Sequence, residues 1–339
     1  MVTTEQLVYI IVMCVAGIVT VTGNGLLIYI MCKQRSLRNV SNFYMASLSI
    51  ADTGVGLFVI AAIVVTIMEI PVPVGWCYFS PYFELSTLSA GIFSSLLISY
   101  DRHLAVSKAL SYHPTKRSAV TSLVLVWVSA FVYSSRIFLQ YEVAKLLSSG
   151  SVLAAVANDN TTSILTEDDD DKKNGFCNVL AEEDYNDLIF RCIDFVFLFI
   201  IPITCMVYWY RGIVKTLWAV NVTTTAIIAK KRRVVKLLII NVVVFFACWI
   251  PFYLADIIND SIAVLMSNHD DDFEEDASSE VARLCLIFFA VSHSYLNPII
   301  FLYFHSEFRV ILLSLLCKCV SKRRMRVEQQ TEYRLNTIS

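Results

Sequence analysis

Seven apolar runs dominate this chain, and each is long enough to cross a lipid bilayer as one helix. The first runs from Leu7 to about Cys32. The others cover roughly 40–68, 78–104, 118–140, 188–213, 234–258 and 281–304. About twenty helical residues cross a hydrocarbon core of about 30 Å, and lipid offers no partner to an unpaired backbone, so such runs fold as helices. Barrel strands are about ten residues long and alternate, a pattern absent here. The expected fold is therefore an all-α membrane protein. Composition agrees: 57% of residues are hydrophobic and 17% charged, against about 25% charged in soluble domains. No Lys or Arg precedes the first run, so it is expected to act as its own insertion signal rather than as a cleaved leader.

The net charge of −2 hides a segregation of sign. Lys33, Arg35 and Arg38 fill the first connection, and Lys108, Lys116 and Arg117 the third. Arg211, Lys215, Lys230, Lys231, Arg232, Arg233 and Lys236 fill the fifth, and Lys318, Lys322, Arg323, Arg324 and Arg326 the tail. Alternate connections are acidic, with Glu167, Asp168–Asp171 and Glu182–Asp184 in 141–187, and Asp270–Asp272 and Glu274–Asp276 in 259–280. Positive residues stay cytoplasmic, so the N-terminus is expected outside and the C-terminus inside, at the plasma membrane, and an odd number of spans is required. Of ten cysteines, Cys77 and Cys177 sit on the oxidising side and form the candidate disulfide; two unpaired thiols are the alternative. Cys317 and Cys319 follow an amphipathic stretch and are palmitoylation candidates, with ordinary thiols the alternative. Asn160 is the candidate glycosylation acceptor, since Asn39 and Asn221 fall on the cytoplasmic side.

Polar residues inside a span mark function by default. Asn24, Asp52, Glu84, Asp101, Arg102 and Asn297 are such residues. Pro202, Pro251 and Pro298 each remove a helical hydrogen bond and should kink their helices. Several of these sit in ordered motifs: Gly23-Asn24, Leu48-Ser49-Ile50-Ala51-Asp52, Cys77 twenty-five residues before Arg102, Asp101-Arg102-His103, Trp127, Pro202 with Tyr210, Cys248-Trp249-Ile250-Pro251, and Asn297-Pro298-Ile299-Ile300-Phe301. In this order and spacing, over nearly the whole chain, they resemble the rhodopsin-like (class A) G-protein-coupled receptors. Their fold is a seven-transmembrane helix bundle followed by a short amphipathic helix, into which Phe308 fits. The resemblance divides the chain into a short N-terminus 1–6, a receptor domain 7–304, and an amphipathic helix with cytoplasmic tail 305–339.

The resemblance also implies roles. Arg102 is held by Asp101 at rest and meets the G protein when the sixth helix swings outward. Trp249 lies beneath the ligand. Ile92, Pro202 and Phe245 form a packing switch, Tyr210, Asn297, Pro298 and Phe301 take part in activation, and Asn24, Asp52 and Asn297 form a hydrated polar core. Partners implied are an extracellular ligand, a heterotrimeric G protein, arrestin and the bilayer; no nucleic acid, cofactor or metal is expected. Five positions depart from the family. Lys231 stands where many members carry an acid that pairs with Arg102, so raised basal activity is expected, to be checked without agonist against mock cells. Gly91 and His293 replace residues that help hold sodium near Asp52. Phe301 lacks the hydroxyl that reaches toward Tyr210, and His103 replaces Tyr as an exposed, passive helix-end residue.

Glu84 bears most on the ligand. It precedes Arg102 by eighteen residues, five turns or about 27 Å along one helix face. If Arg102 faces the cytoplasmic cavity, Glu84 faces the outer one. In the family's amine receptors an Asp here binds the ligand ammonium. Phe252 and Tyr253 suit cation–π contact, and Asp194 and Asp256 add acid around the same cavity. Asp194 pairing with Arg191 is the alternative for that residue, and a hydrogen-bonded structural carboxyl the alternative for Glu84. The acidic connections either attract cations or are merely solvated. A small amine or basic peptide is the expected ligand. Leu37–Phe43 resembles the adenosine-receptor branch, which makes adenosine or another neutral small molecule the alternative, and Ala109–His113 resembles the melanocortin branch. The short N-terminus is expected to exclude a folded hormone-capturing ectodomain.

Other classes fit less well. An opsin needs a lysine in the seventh run, and 281–304 has none. A transporter or channel, the alternative from another class, is expected to show a repeat. No nucleophile–base pair, metal cluster or phosphate loop suggests an enzyme.

Overall fold

A computed structural model describes residues 4–34, 37, 39–67, 74–108, 111–140, 142, 185–219, 226–266 and 277–316. Regular structure among them is helical throughout. The helices are α1 (Thr4–Lys33), α2 (Val40–Ile67), α3 (Val74–Ser107), α4 (Lys116–Ser134), α5 (Tyr185–Asp194, continuing through Phe195–Ile200 and Ile201–Ala219), α6 (Ala226–Met266), α7 (Ala277–Phe304) and α8 (Ser306–Leu316). Seven of these are long and apolar enough to cross a membrane. Several overrun the apolar runs: α6 begins at Ala226, while its apolar stretch starts at Val235.

The bundle is apolar outside, and its interior combines an apolar core with buried polar side chains. Val120, Val124, Leu125, Val128 and Val132 of α4 are exposed, whereas Thr20, Asn24, Asp52, Ser94 and Ser99 are buried. Lipid is as apolar as Leu, so helices associate through close packing and interhelical hydrogen bonds. Both devices are present. A Cβ on Gly23 would stand 2.9 Å from Pro298 Cγ, so the glycine permits the close approach of α1 and α7. Trp127 Nε1 donates to Ser47 Oγ at 3.1 Å, and Ser47 Oγ lies 2.9 Å from Ser94 Oγ, joining α4, α2 and α3.

Helix starts are capped where the sequence allows it. Thr115 Oγ1 accepts from the Ser118 amide at 3.2 Å, and Asn39 Oδ1 accepts from the Asn42 amide at 2.9 Å, each satisfying an orphan donor of the first turn. Prolines shape the interior. Pro81, Pro251 and Pro298 lie inside α3, α6 and α7; Pro81 was not among the expected kinks. Before Pro202, α5 widens into a π-helical stretch, with the Ile201 amide reaching Val196 O. The proline ring crowds the carbonyl four residues back, and the wider turn places Leu198 and Phe199 side by side in the core. The short α8 seats Phe308, 1% exposed, against Phe301 at 4.6 Å between ring centroids.

Candidate functional site

The candidate residues fall at three levels along the bundle. At the first level, Glu84 is exposed although Leu85, Ser86 and Thr87 beside it are buried. Among the described residues no side chain makes a hydrogen bond or ion pair with its carboxylate. The buried Tyr253 lies within electrostatic reach of both Glu84 and Asp194.

The other acids at this level differ from expectation. Asp194 pairs neither with Arg191 nor with open cavity. Arg136 grips it with both Nε, at 2.9 Å, and Nη2, in the fork geometry that makes Arg–carboxylate pairs strong. Tyr133 Oη donates to the same carboxylate at 2.5 Å. The Arg136 guanidinium also stacks over Phe190 and Tyr133, 5.6 and 5.9 Å from the ring centroids. Asp256 is likewise taken: Arg191 Nη1 lies 2.5 Å from Asp256 Oδ2, and its Nε lies 2.6 Å from Asp260 Oδ2. Arg136 and Asp260 went unselected in the sequence, and Arg191 entered only as the alternative partner of Asp194. A lone arginine inside the apolar run 118–140 was the available signal, because a charge there demands a partner.

The second level begins at Trp249, 5% exposed, with Phe252 and Tyr253 each 6.1 Å away between centroids. Its indole Nε1 donates to His293 Nδ1 at 3.1 Å. Accepting at Nδ1 leaves the neutral imidazole's proton on Nε2, and that atom lies 3.5 Å from Asp52 Oδ1. Asp52 also accepts from Asn297 Nδ2 at 2.7 Å and Ser294 Oγ at 3.1 Å. Asn24 Nδ2 donates to Ser294 O and Thr20 O. Asn24, Asp52 and Asn297 are thus brought together, and His293, noted only as a departure, links them to Trp249. Ile92 and Phe245 line a small neighbouring cavity with Tyr210 and Asn297. Pro202 is buried one turn before Met206, which lines the same cavity. Phe245 meets His293 edge-on at 4.8 Å and stacks on Phe199 at 5.9 Å.

At the third level, Asp101 is 2% exposed. It accepts from Arg102 Nε at 3.0 Å and from Arg102 Nη2, from Ser41 Oγ at 3.2 Å, and from Tyr112 Oη at 2.8 Å. Burial and the Asp101 carboxylate push the Tyr112 phenol well above the usual tyrosine range. Tyr210 Oη and Ser99 Oγ are 2.9 Å apart. Phe301 stacks on His305 at 4.4 Å. His103 is not the exposed residue expected: it is half-buried, and its ring lies against Gly212, where a Cβ would meet Cε1 at 3.1 Å. Cys177, Asn160, Cys317 and Cys319 lie outside the described residues, as do the side chains of Cys77 and Lys231.

The comparisons bear on this arrangement as a whole. A family model described as 7 transmembrane receptor (rhodopsin family) matches residues 23–301. Tachykinin-like peptides receptor 86C of Drosophila melanogaster is 23% identical over 323 residues, which is 93% of this chain and 60% of that protein. The RYamide receptor of Drosophila melanogaster is 22% identical over 327 residues, 94% of this chain and 65% of that protein. Adenosine receptor A2b of Gallus gallus is 24% identical over 327 residues, 93% of this chain and 91% of that protein. The chain therefore spans less than two thirds of the length of the two Drosophila proteins.

Proposed function

Because the chain belongs to the rhodopsin family of seven-transmembrane receptors, whose members are receptors rather than enzymes, we propose that it binds an extracellular cationic ligand at Glu84 and activates a heterotrimeric G protein at the plasma membrane. One observation carries the ligand reading. Asp194, Asp256 and Asp260 each have an arginine partner, whereas Glu84 has no such partner among the described residues and is exposed among buried neighbours. An accessible, unmatched carboxylate within electrostatic reach of Tyr253 suits an ammonium or guanidinium group. The relatives named for peptides support a basic peptide over a small amine. The adenosine receptor relative supports the second reading, a neutral small molecule, for which Glu84 is structural.

The basic connections support a cytoplasmic placement of the Arg102 end, with the N-terminus outside. There Arg102 is the contact for the G protein, and arrestin a further partner. Signalling is a population shift: a ligand that binds the active bundle more tightly opens the Arg102 end. The alternative from another class, a transporter or channel, is separated by Arg102→Ala, which abolishes G-protein activation and spares transport.

The test is G-protein activation in expressing cells, with biogenic amines, basic peptides and adenosine as the panel and Glu84→Gln in parallel at matched surface expression. Truncating one partner of a desolvated charge pair costs about 2–5 kcal/mol, so Glu84→Gln is expected to weaken a cationic agonist by roughly a hundredfold. An adenosine response, or a cation response indifferent to Glu84→Gln, overturns the reading.

A further inference from the structure

Asn241 stands inside the membrane span of α6, one turn from the buried Leu237 and Leu238. A polar side chain inside a span marks function by default, and the mechanism above gives this one none. Its Oδ1 is buried, and no described residue donates to it. Two small cavities share Asn241 and Asn297 in their walls. Tyr210, Ser99, Ser95 and His293 also line the first, and Asn24 and Asp52 the second. A buried acceptor left without a donor raises the energy of the state that contains it.

The donor groups that face the first cavity from the other helices are engaged. Ser95 Oγ donates to Gly91 O at 3.0 Å, and Ser99 Oγ to Ser95 O at 2.8 Å. Asn297 Nδ2 donates to Asp52, and His293 Nε2 faces the same carboxylate. A hydroxyl has one proton. With its own given to Ser95 O, Ser99 Oγ accepts across its 2.9 Å contact with Tyr210 Oη, so the tyrosine is the donor there. Of these bonds, that of Tyr210 alone ends on a neutral side chain of another helix. Redirecting it surrenders no charge-assisted bond to a carboxylate. We propose that Asn241 is the partner of Tyr210 in the signalling state: as α6 moves, the Tyr210 hydroxyl leaves Ser99 and donates to Asn241 Oδ1, latching α6 to α5. The inference rests on the population-shift reading and extends it to a residue that sets the agonist-free balance. At rest the Tyr210 hydroxyl is met and the Asn241 amide is not; in the signalling state both are met. Asn241 therefore favours signalling, and Ser99 holds the hydroxyl back.

The experiment uses the full chain in lipid nanodiscs without agonist. Spin labels carried by unnatural amino acids at Lys116 of α4 and Lys236 of α6, both exposed, report the ratio of open to closed bundles as a distance distribution. Asn241→Leu removes the unmet amide from the resting state and its bond from the other. It is expected to raise the melting temperature and lower the open-to-closed ratio about fivefold. In a Tyr210→Phe background the amide has no donor in either state, so the same substitution should leave the ratio unchanged. Ser99→Ala frees the Tyr210 hydroxyl at rest and should raise the ratio about fivefold, but only while Asn241 is present. Asn241→Ala repeats the series should leucine overpack the site. A ratio that ignores both Asn241→Leu and Ser99→Ala overturns the proposal. So does an effect of Asn241→Leu that survives Tyr210→Phe, which would assign the amide to another donor, or a rise from Ser99→Ala that survives loss of Asn241. Loading of a non-hydrolysable GTP analogue onto a panel of purified heterotrimeric G proteins, by the same variants, separates this inference from the reading beneath it. Distances that respond as expected while no heterotrimer is loaded sink the G-protein reading and leave the Tyr210–Asn241 latch standing.

Discussion

The Glu84 end of the bundle and its centre manage buried charge by opposite means. At the Glu84 end, full charges meet full charges: Arg136 with Asp194, and Arg191 with Asp256 and Asp260. Around Asp52 the carboxylate meets Asn297, Ser294 and His293, none of them carrying a permanent charge. The energetic consequences differ. Removing one partner of a buried ion pair costs about 3–5 kcal/mol, while an ordinary hydrogen bond contributes about 0.5–1.5 kcal/mol net. Charge pairs therefore fix which helices lie together and resist rearrangement. A network of neutral donors exchanges partners at small cost, as a two-state core requires. On the proposed mechanism, the frame and the moving part of the bundle would be built from different chemistry.

The sharpest way to break that comparison is Arg136→Met. It strands Asp194, whose side chain is 8% exposed, and should cost about 3–5 kcal/mol of stability. The double variant Arg136→Met with Asp194→Leu should recover most of it. Thermal unfolding of the purified chain checks both, and equal losses in single and double variants would show that packing, not charge, holds this end. Second in size is His293→Phe, which leaves the buried Trp249 N–H without its acceptor, at about 1–3 kcal/mol. Its distinguishing effect is on agonist-free signalling, because Trp249 then loses its link to Asp52. An unchanged basal signal would mean that the link transmits nothing. Ser294→Ala removes one neutral donor from Asp52 and should cost only about 0.5–1.5 kcal/mol. A loss as large as that of Arg136→Met would erase the distinction between frame and core.

The sequence carried the spans, the meeting of Asn24, Asp52 and Asn297, and the short helix that seats Phe308. Each of these follows from run length or from ordered motifs. It did not carry the choice of partners at the Glu84 end. Asp194 was weighed against Arg191, three residues away on the same helix, but its partner is Arg136, reached from beyond the end of α4. Arg191 turned instead to α6. Such choices depend on the rotation and tilt of each helix about its axis. In a span apolar on nearly every side, periodicity does not report rotation, since lipid-facing and core-facing residues are chemically alike. The π-helical stretch at Phe195–Ile200 adds a further turn-angle offset to everything on α5 before Pro202. His293 was visible only as an unusual residue; its reach to both Trp249 and Asp52 required the geometry of α6 against α7.

The smallest expected effect lies at the Arg102 end, where the two kinds of chemistry meet on one residue. Asp101 is gripped by the charged Arg102 and by the neutral Ser41 and Tyr112. Tyr112 sits just past α3, outside the spans, and is half-buried. Its phenol is held protonated, so its folded-state value lies above the ordinary one. The stabilisation is therefore complete below the ordinary tyrosine range and drains away only as pH rises through the folded-state value. In mildly acidic to mildly alkaline buffer it is constant. Tyr112→Phe should cost about 1 kcal/mol across that whole interval, and, where that bond favours the resting state, shift a two-state equilibrium by about fivefold toward activity. Unfolding curves at several pH values, paired with agonist-free signalling, measure both quantities. A cost that varies within that interval would mean the phenol titrates there. A cost without any rise in basal signal would mean that Tyr112 supports the fold equally in both states, leaving Arg102 and Ser41 as the partners of Asp101 that can separate them.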